Sequence, residues 1–141
     1  MKKAVKGSKI PKSVGPYSQA VTFGNLVFVS GQIGLDPKSG QLKPDIQAQT
    51  DQIFSNIKEI LISADTDINN VLKVNVYLKD ISDFASMNKV YEKHFKVPFP
   101  ARTTVGVAGL PKNALIEIEC IAYKDLTYKE DPGTECCGGC C

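Results

Sequence analysis

Hydrophobic residues recur along this chain with two different periods, and the period separates predicted strands from predicted helices. Apolar and polar residues alternate over 72–78 and 116–123, which is typical of half-buried strands. Short apolar-rich runs at 3–5, 20–23, 26–29 and 103–108 predict four more strands. Gly24 and Asn25 both tolerate the positive φ of a two-residue turn, so 20–29 is predicted to form a β-hairpin.

Two segments show the spacing of an amphipathic helix. The first is predicted to begin after Asp45 as N-cap and to end near residues 64–67. The second is predicted to begin at Ser82 or Asp83 and to end at Val97-Pro98, because proline cannot continue a helix. Their predicted buried stripes consist of Ile46, Ile53, Phe54, Ile57, Ile60, Leu61 and Ala64 in the first, and of Phe84, Met87, Val90, Tyr91 and Phe95 in the second.

The element order β-β-β-α-β-α-β-β predicts a single α+β domain over 1–125, with two helices on one face of a mixed six-stranded sheet. The opposite face is predicted to be too polar for a core, since it would carry Glu117, Glu119, Lys73, Asn75 and Arg102. Such a face either stays in solvent or meets partner subunits in a partly wet interface. The pattern ends after Asp125, and 126–141 is predicted to be a flexible tail.

Composition and charge narrow the functional classes. Hydrophobic residues make up 43% of the chain and charged residues 23%, which is ordinary for a globular domain, and the net charge of +2 gives no support for a dedicated nucleic-acid or membrane binder. Five lysines lie in the first twelve residues, but no apolar run of signal-peptide or membrane-span length follows them. We therefore expect a cytoplasmic protein. A mitochondrial address stays open, because the start lacks acidic residues, although it also lacks arginine.

The cysteines are distributed unevenly. Cys120 lies alone in the predicted domain, whereas the other four stand in the CCGGCC cluster of residues 136–141. This is no disulfide framework, and a reducing compartment fits it best. The tail cluster resembles a paired-cysteine tag that captures a biarsenical dye. It is also suited to binding a soft metal through thiolates or to redox chemistry, or it is an inert appendage.

Two charged residues suggest chemistry. Arg102 stands at the entry of a predicted strand, where its guanidinium could grip a carboxylate bidentately or form a structural salt bridge. Glu117 lies on the next predicted strand and is either a catalytic carboxylate or a solvated strand residue. A catalytic role for either residue requires that Arg102 and Glu117 lie close together. The turn at 109–113 would bring them together if the two strands were adjacent and antiparallel.

Other candidate residues are weaker when taken from the pattern alone. Ser30 and Gly31 stand where a backbone could approach a small ligand closely, and Tyr17 follows a Gly-Pro turn, but each also fits an ordinary strand end or turn. His94 is the only histidine and lies late in the second helix, which favours a surface or capping role. No phosphate loop, dinucleotide fingerprint or metal-ligand spacing is found in the predicted domain.

Five blocks taken together resemble the RidA/YjgF family in order and spacing, from about Ser8 to Tyr123. One block such as SGQI would be weak evidence, whereas five in register are strong. The blocks are GPYSQ (15–19), VSGQI (29–33), VYLKD (76–80), FPART (99–103), and LPK (110–112) followed by IEIE (116–119).

The resemblance implies a chorismate-mutase-like fold and a homotrimer with sites in the clefts between subunits. It implies that Arg102 holds a substrate carboxylate and that Glu117 orients or activates water. Residues implied to bind substrate in the cleft are Tyr17, Ser30, Gly31 and Asn88, together with Thr104. Many relatives have cysteine in place of Thr104, whose hydroxyl can form hydrogen bonds but cannot supply a thiolate.

The activity implied is hydrolysis of 2-iminobutanoate, 2-iminopropanoate and enamines such as 2-aminoacrylate to 2-keto acids and ammonia, without cofactor or metal. One alternative is an endoribonuclease, an activity reported under the same family name. The single histidine and the small net charge argue against it. The other is a non-enzymatic metabolite-binding or chaperone-like trimer, which would need Arg102 more than Glu117. The sequence does not decide which imine is preferred.

Overall fold

The structure, a computed structural model, describes residues 1–125. The predicted tail 126–141 and its four cysteines lie outside these described residues. Two α-helices are present, α1 (Ile46–Ser63) and α2 (Phe84–His94), and short 3-10 helices occur at Ile68–Asn70, Ile81–Asp83 and Pro111–Asn113. The strands are β1 (Lys3–Ala4), β2 (Ala20–Phe23), β3 (Leu26–Ile33), β4 (Val71–Leu78), β5 (Ala101–Gly106) and β6 (Ile116–Tyr123).

The element order along the chain and the six-stranded mixed sheet predicted from the sequence are confirmed. The strands lie in the spatial order β1-β2-β3-β6-β4-β5. Every neighbouring pair is antiparallel except β4 and β5, which are parallel. Helix α2 makes the crossover between these two parallel strands, as a βαβ unit requires.

Local signals in the sequence explain where α1 begins and what it buries. The side chain of Asp45 accepts a hydrogen bond from the backbone N–H of Ala48 at 2.8 Å, which confirms the predicted N-cap. The apolar stripe faces the sheet, and its fully buried members include Ile53, Phe54 and Ile60. Helix α2 is shorter than predicted, because it already ends at His94.

The hydrophobic core lies between the two helices and one face of the sheet. Strand β6 shows the alternation clearly, since Ile116, Ile118, Cys120 and Ala122 are buried. Glu117 and Glu119 point to the opposite face, as predicted. Burial raises the pKa of the Cys120 thiol to about 12, so that this free cysteine stays protonated in the core.

The last two strands are not adjacent, so the condition under which the turn at 109–113 would bring Arg102 and Glu117 together is not met. Strand β6 lies between β3 and β4, and β5 forms the edge of the sheet beyond β4. The connection over 107–115 passes the end of β4, so that β6 pairs with β4 on the side away from β5 and fills the space between β4 and β3.

The prediction that Arg102 lies on the polar face of the sheet is wrong. Arg102 stands in register with Val74, which is buried against the helices, and its side chain contacts α2. Glu117 stands in register with Tyr77, three residues from Val74 on β4 and therefore on the other face. One strand and the thickness of the sheet separate the two side chains within one chain.

Within residues 1–125, no helix is long and apolar enough to cross a membrane. The same part of the chain holds no group of three or more His, Cys, Asp or Glu side chains arranged to bind a metal ion.

Candidate active site

A bulge in β3 creates the space that Glu117 occupies. The register between β3 and β6 shifts between Val29 and Gln32, so that β3 carries one extra residue at this point. Gly31 lies in this bulge without a side chain, and a Cβ atom there would stand 1.9 Å from Glu117 Oε1. The glycine therefore leaves the room in which the Glu117 carboxylate lies.

A cleft of about 560 Å³ opens beside the bulge. Four of the predicted site residues line it: Tyr17, Ser30, Gly31 and Glu117. The structure thus brings together residues from the loop before β2, from β3 and from β6. The exposed turn residue Lys112 also lines the cleft, so that the LPK segment (110–112) of the fifth sequence block contributes to its wall.

Hydrogen bonds fasten the loop that carries Tyr17 to the bulge. Ser30 Oγ donates to the carbonyl oxygen of Ser18 at 2.6 Å, and the backbone N–H of Ser30 donates to the carbonyl of Gln19 at 2.9 Å. Gln32 Nε2 donates to Gln19 Oε1 at 2.7 Å. The Ser30 hydroxyl therefore holds main chain in place, and its proton is already engaged before any ligand enters.

Gln19 and Gln32 were not identified from the sequence as site residues. Both are at least nine-tenths buried, and both line the cleft that contains Glu117. Gln32 Nε2 also donates to the carbonyl oxygen of Ser30 at 3.1 Å, which fixes which end of this amide is nitrogen. The sequence did offer one signal for them, because a polar glutamine lies directly before one predicted strand (Gln19) and shortly after another (Gln32).

The electrostatic surroundings of Glu117 suit a proton carrier. Its carboxyl is partly buried, and burial raises its pKa above the ordinary value, with repulsion from Glu119 adding to the shift. Glu119 itself accepts hydrogen bonds from Asn75 Nδ2 at 2.8 Å and from the Tyr77 hydroxyl at 2.9 Å. Glu119 thus has two hydrogen-bond donors, whereas burial and repulsion make Glu117 easier to protonate.

Arg102, the only arginine of the chain, lines a second cleft of about 490 Å³. Its Nη1 donates to Asn88 Oδ1 on α2 at 2.7 Å. Its Cζ lies over the ring of Tyr91, 4.5 Å from the ring centroid, and 5.4 Å from that of Phe84. Within residues 1–125 Arg102 forms no ion pair, so the structural salt-bridge interpretation finds no partner there.

Thr104 follows Arg102 by two residues and points to the same face of β5, in register with the buried Val76. Its Oγ1 is buried and has no hydrogen-bond partner among the described residues. Thr104, which was predicted to bind substrate, lines neither of the two clefts.

The predicted site is therefore divided within one chain. Tyr17, Ser30, Gly31 and Glu117 surround the first cleft, whereas Arg102 and Asn88 line the second. A substrate of a few carbon atoms cannot contact Arg102 and Glu117 of the same chain, because the two side chains lie on opposite faces of the sheet with β4 between their strands. The expected pairing through the turn at 109–113 does not occur.

Comparison with known proteins gives consistent results. The family described as Endoribonuclease L-PSP matches residues 7–124. A RutC family protein of Pyrococcus horikoshii is 52% identical over 126 residues, covering 89% of this chain and 100% of the relative. The 2-iminobutanoate/2-iminopropanoate deaminase of Bos taurus is 46% identical over 125 residues, covering 88% of this chain and 91% of the relative.

Solved structures agree with these sequence matches. The crystal structure of RidA from the Antarctic bacterium Psychrobacter superposes with a TM-score of 0.83 at 46% identity, covering 86% of this chain and 98% of the other. Fold, length and sequence therefore match over nearly the same residues, and the chain belongs to the RidA/YjgF family, the one described as Endoribonuclease L-PSP.

Proposed function

We propose that this protein hydrolyses small 2-imino acids and their enamine tautomers, such as 2-aminoacrylate, to 2-keto acids and ammonia. The observation that carries the proposal is the guanidinium of Arg102, which is held in a cleft without an acidic partner within residues 1–125. An unpaired guanidinium is suited to binding a carboxylate bidentately. Membership in a family with relatives named for this deaminase activity supports the same conclusion.

The mechanism needs one anchor and one proton carrier. Arg102 binds the substrate carboxylate, and Glu117 positions a water molecule and takes its proton as the oxygen bonds to the imine carbon. The resulting carbinolamine receives this proton on nitrogen, and the C–N bond breaks as the carbinol hydroxyl gives its own proton to the Glu117 carboxylate. The keto acid leaves, and ammonia takes up that proton and leaves as ammonium, so that Glu117 is ionised again. Burial raises the pKa of Glu117 above its ordinary value, which makes its carboxylate a stronger base for the first of these proton transfers.

We further propose that the protein is a homotrimer in which each site is formed by two subunits. Arg102 would come from one subunit and Glu117, with Tyr17, from its neighbour. The separation of the two clefts supports this, since neither cleft alone holds both the anchor and the base. The half-buried polar network of Glu119, Asn75 and Tyr77 gives the open sheet face the partly wet character of a subunit interface.

A nuclease is supported less well by the contacts of the only histidine. His94 lies between α1 and α2, where its ring nitrogens contact Asp51 and Lys58, and it lines neither cleft that holds a predicted site residue. A purely metabolite-binding trimer would have no use for a partly buried Glu117 beside a glycine that makes room for its carboxylate. The cytoplasmic location stays a prediction.

The activity is tested with an amino-acid oxidase that generates 2-imino acids in the presence of semicarbazide as a competing trap. We expect the wild-type protein to suppress semicarbazone formation, and Arg102→Ala and Glu117→Gln to lose this effect. Glu59→Gln on α1 is the matched control for removing a carboxylate elsewhere. If the wild-type protein left semicarbazone formation unchanged across several amino acids, the deaminase proposal would be wrong.

The shared site is tested by mixing the two inactive variants. When Arg102→Ala and Glu117→Gln are unfolded together and refolded, random assembly gives about one quarter of the sites an intact Arg102 from one subunit and an intact Glu117 from its neighbour. We expect roughly that fraction of wild-type activity to return. Continued inactivity of mixed trimers, shown to be mixed by mass spectrometry, would place both residues in a single-subunit site.

A further inference from the structure

The partners of Arg102 within residues 1–125 are all uncharged. Asn88 accepts one hydrogen bond from Nη1, and Phe84 and Tyr91 present their rings to the guanidinium carbon. Glu92 lines the same cleft but forms no ion pair with Arg102. All three contacting side chains come from α2, which spans Phe84–His94, so one helix holds the guanidinium.

Because its partners are uncharged, Arg102 keeps its positive charge available for an anionic ligand. A carboxylate beside Arg102 would neutralise its charge and compete with an anionic ligand for the same N–H groups. An aromatic ring attracts the cation through its quadrupole within about 6 Å, yet leaves the in-plane N–H donors available. The remaining donors of Arg102 are therefore restrained in position without being occupied by a protein anion of the described residues.

We propose that Phe84 and Tyr91 are positioning residues for Arg102, and that their rings set the affinity of the site for the carboxylate of substrate and product. The inference rests on the proposed function, since it assigns a role at the same anchor. Phe84 is the more informative of the two, because the residue is 39% exposed and lies outside the buried core. Tyr91 is 5% exposed and packs against Phe54 and Phe95 as well.

The hydroxyl of Tyr91 is not needed for this role. It is buried without a hydrogen-bond partner among the described residues, and burial raises the pKa of Tyr91 to about 12, so the ring stays neutral. What Tyr91 gives Arg102 is the face of its ring, which phenylalanine would supply equally. Tyr91→Phe therefore separates the proposed contribution of the ring from any contribution of the hydroxyl.

The experiment measures calorimetric binding of 2-ketobutyrate, together with KM and kcat for 2-iminobutanoate hydrolysis. Phe84→Leu removes the ring and keeps an apolar side chain. We expect it to raise both Kd and KM by about threefold to tenfold while kcat changes by less than about twofold, the range for losing one partly exposed cation–π contact. Phe84→Tyr and Tyr91→Phe keep both rings and should bind like the wild type.

Ile81→Ala is the matched control, because Ile81 is 55% exposed just before α2 and is not among the side chains that contact Arg102. It should leave Kd and KM unchanged. The inference is overturned if the wild type binds and turns over substrate but Phe84→Leu keeps its Kd and KM, or if Phe84→Tyr fails to retain them. A wild type without any turnover would instead contradict the proposed function, so the two failures are distinguishable.

Discussion

Gly31 and the carboxylate of Glu117 compete for the same space. A Cβ atom at position 31 would lie 1.9 Å from Glu117 Oε1 and 2.8 Å from its carboxyl carbon, far inside van der Waals contact. Because Glu117 ends in a flexible side chain, it can swing away without moving the sheet. The glycine is therefore a requirement for the position of the carboxylate more than for the fold.

Gly31→Ala should consequently lower activity while leaving stability nearly unchanged. The methyl group displaces the Glu117 carboxylate by an ångström or more, and a misplacement of about 1 Å costs on the order of 100-fold in rate. Steady-state kinetics of imine hydrolysis and the melting temperature measure the two effects. Gly109→Ala is the control, because a Cβ atom at Gly109 meets no atom within 4 Å. Full activity in Gly31→Ala would contradict the proposed role of Glu117.

Much of the fold could be predicted because its determinants are local. Apolar spacing defined both helices, Asp45 marked the start of the first, and alternation in β6 assigned Glu117 to the polar face. The order of strands in the sheet could not be read in this way. It depends on the crossover through α2, which makes β4 and β5 parallel neighbours and inserts β6 on the other side of β4.

In the candidate site, too, local motifs could be read from the sequence, whereas contacts that depend on strand order could not. Tyr17, Ser30 and Glu117 were placed by family motifs, and they meet in one cleft. Arg102 was expected beside Glu117, but strand order and side-chain alternation put the two on opposite faces. The bond between Gln19 and Gln32 joins residues thirteen apart through the irregular register of a bulge, which no periodic pattern encodes.

Replacing Glu119 with glutamine should shift the pH dependence of activity. Burial and the charge of Glu119 both raise the pKa of Glu117 above its ordinary 4.5. Because ionised Glu117 must accept the proton of water, kcat/KM falls on acidification at a higher pH than for an ordinary glutamate. Glu119→Gln removes the charge but keeps an acceptor for Asn75 and Tyr77, so the acid limb should move to lower pH.

The pH profile of kcat/KM measures this shift, and Glu59→Gln on α1 controls for the loss of one negative charge. The limb should not return fully to the ordinary value, since burial, the larger cause of the shift, is unchanged. An acid limb that stays in place or moves to higher pH in Glu119→Gln would mean that Glu117 is not the group titrating in the profile.

Asn88→Asp should weaken substrate binding although it strengthens the local contact. Asp has the shape of Asn and keeps the acceptor that Arg102 Nη1 uses at 2.7 Å, but it adds a negative charge. The new ion pair competes with the substrate carboxylate, and we expect KM for 2-iminobutanoate to rise about tenfold or more. The melting temperature should be unchanged or higher, which shows that the loss does not come from unfolding.

Asn88→Ala provides the comparison, because it removes the hydrogen bond without adding charge. Its KM should rise less than that of Asn88→Asp. If the alanine variant bound substrate more weakly than the aspartate variant, the charge of Arg102 would not be the property that Asn88 preserves, and the carboxylate-anchor assignment would lose its electrostatic basis.

His94 should make stability depend on pH with a sign opposite to that of Glu117. Lys58 Nζ can only donate, so His94 Nδ1 at 3.0 Å accepts, and Nε2–H at 2.8 Å donates to Asp51, which defines a neutral ring. Burial lowers the pKa of His94 below 6.5 despite the hydrogen bond to Asp51. The unfolded chain therefore binds a proton more readily, and the free energy of unfolding falls as pH drops through 6.5.

Urea unfolding at one protein concentration, followed between pH 5 and 8, measures this effect. His94→Gln offers a donor and an acceptor that do not titrate, so the loss of stability below pH 6.5 should diminish in the variant. Because His94 is the only histidine, no other side chain of that type can account for the difference. The raised pKa of Glu117 acts with the opposite sign, because it makes the free energy of unfolding fall as pH rises above 4.5. An unchanged acid-side loss in His94→Gln would show that the contacts joining α1 and α2 at this histidine do not depend on its protonation.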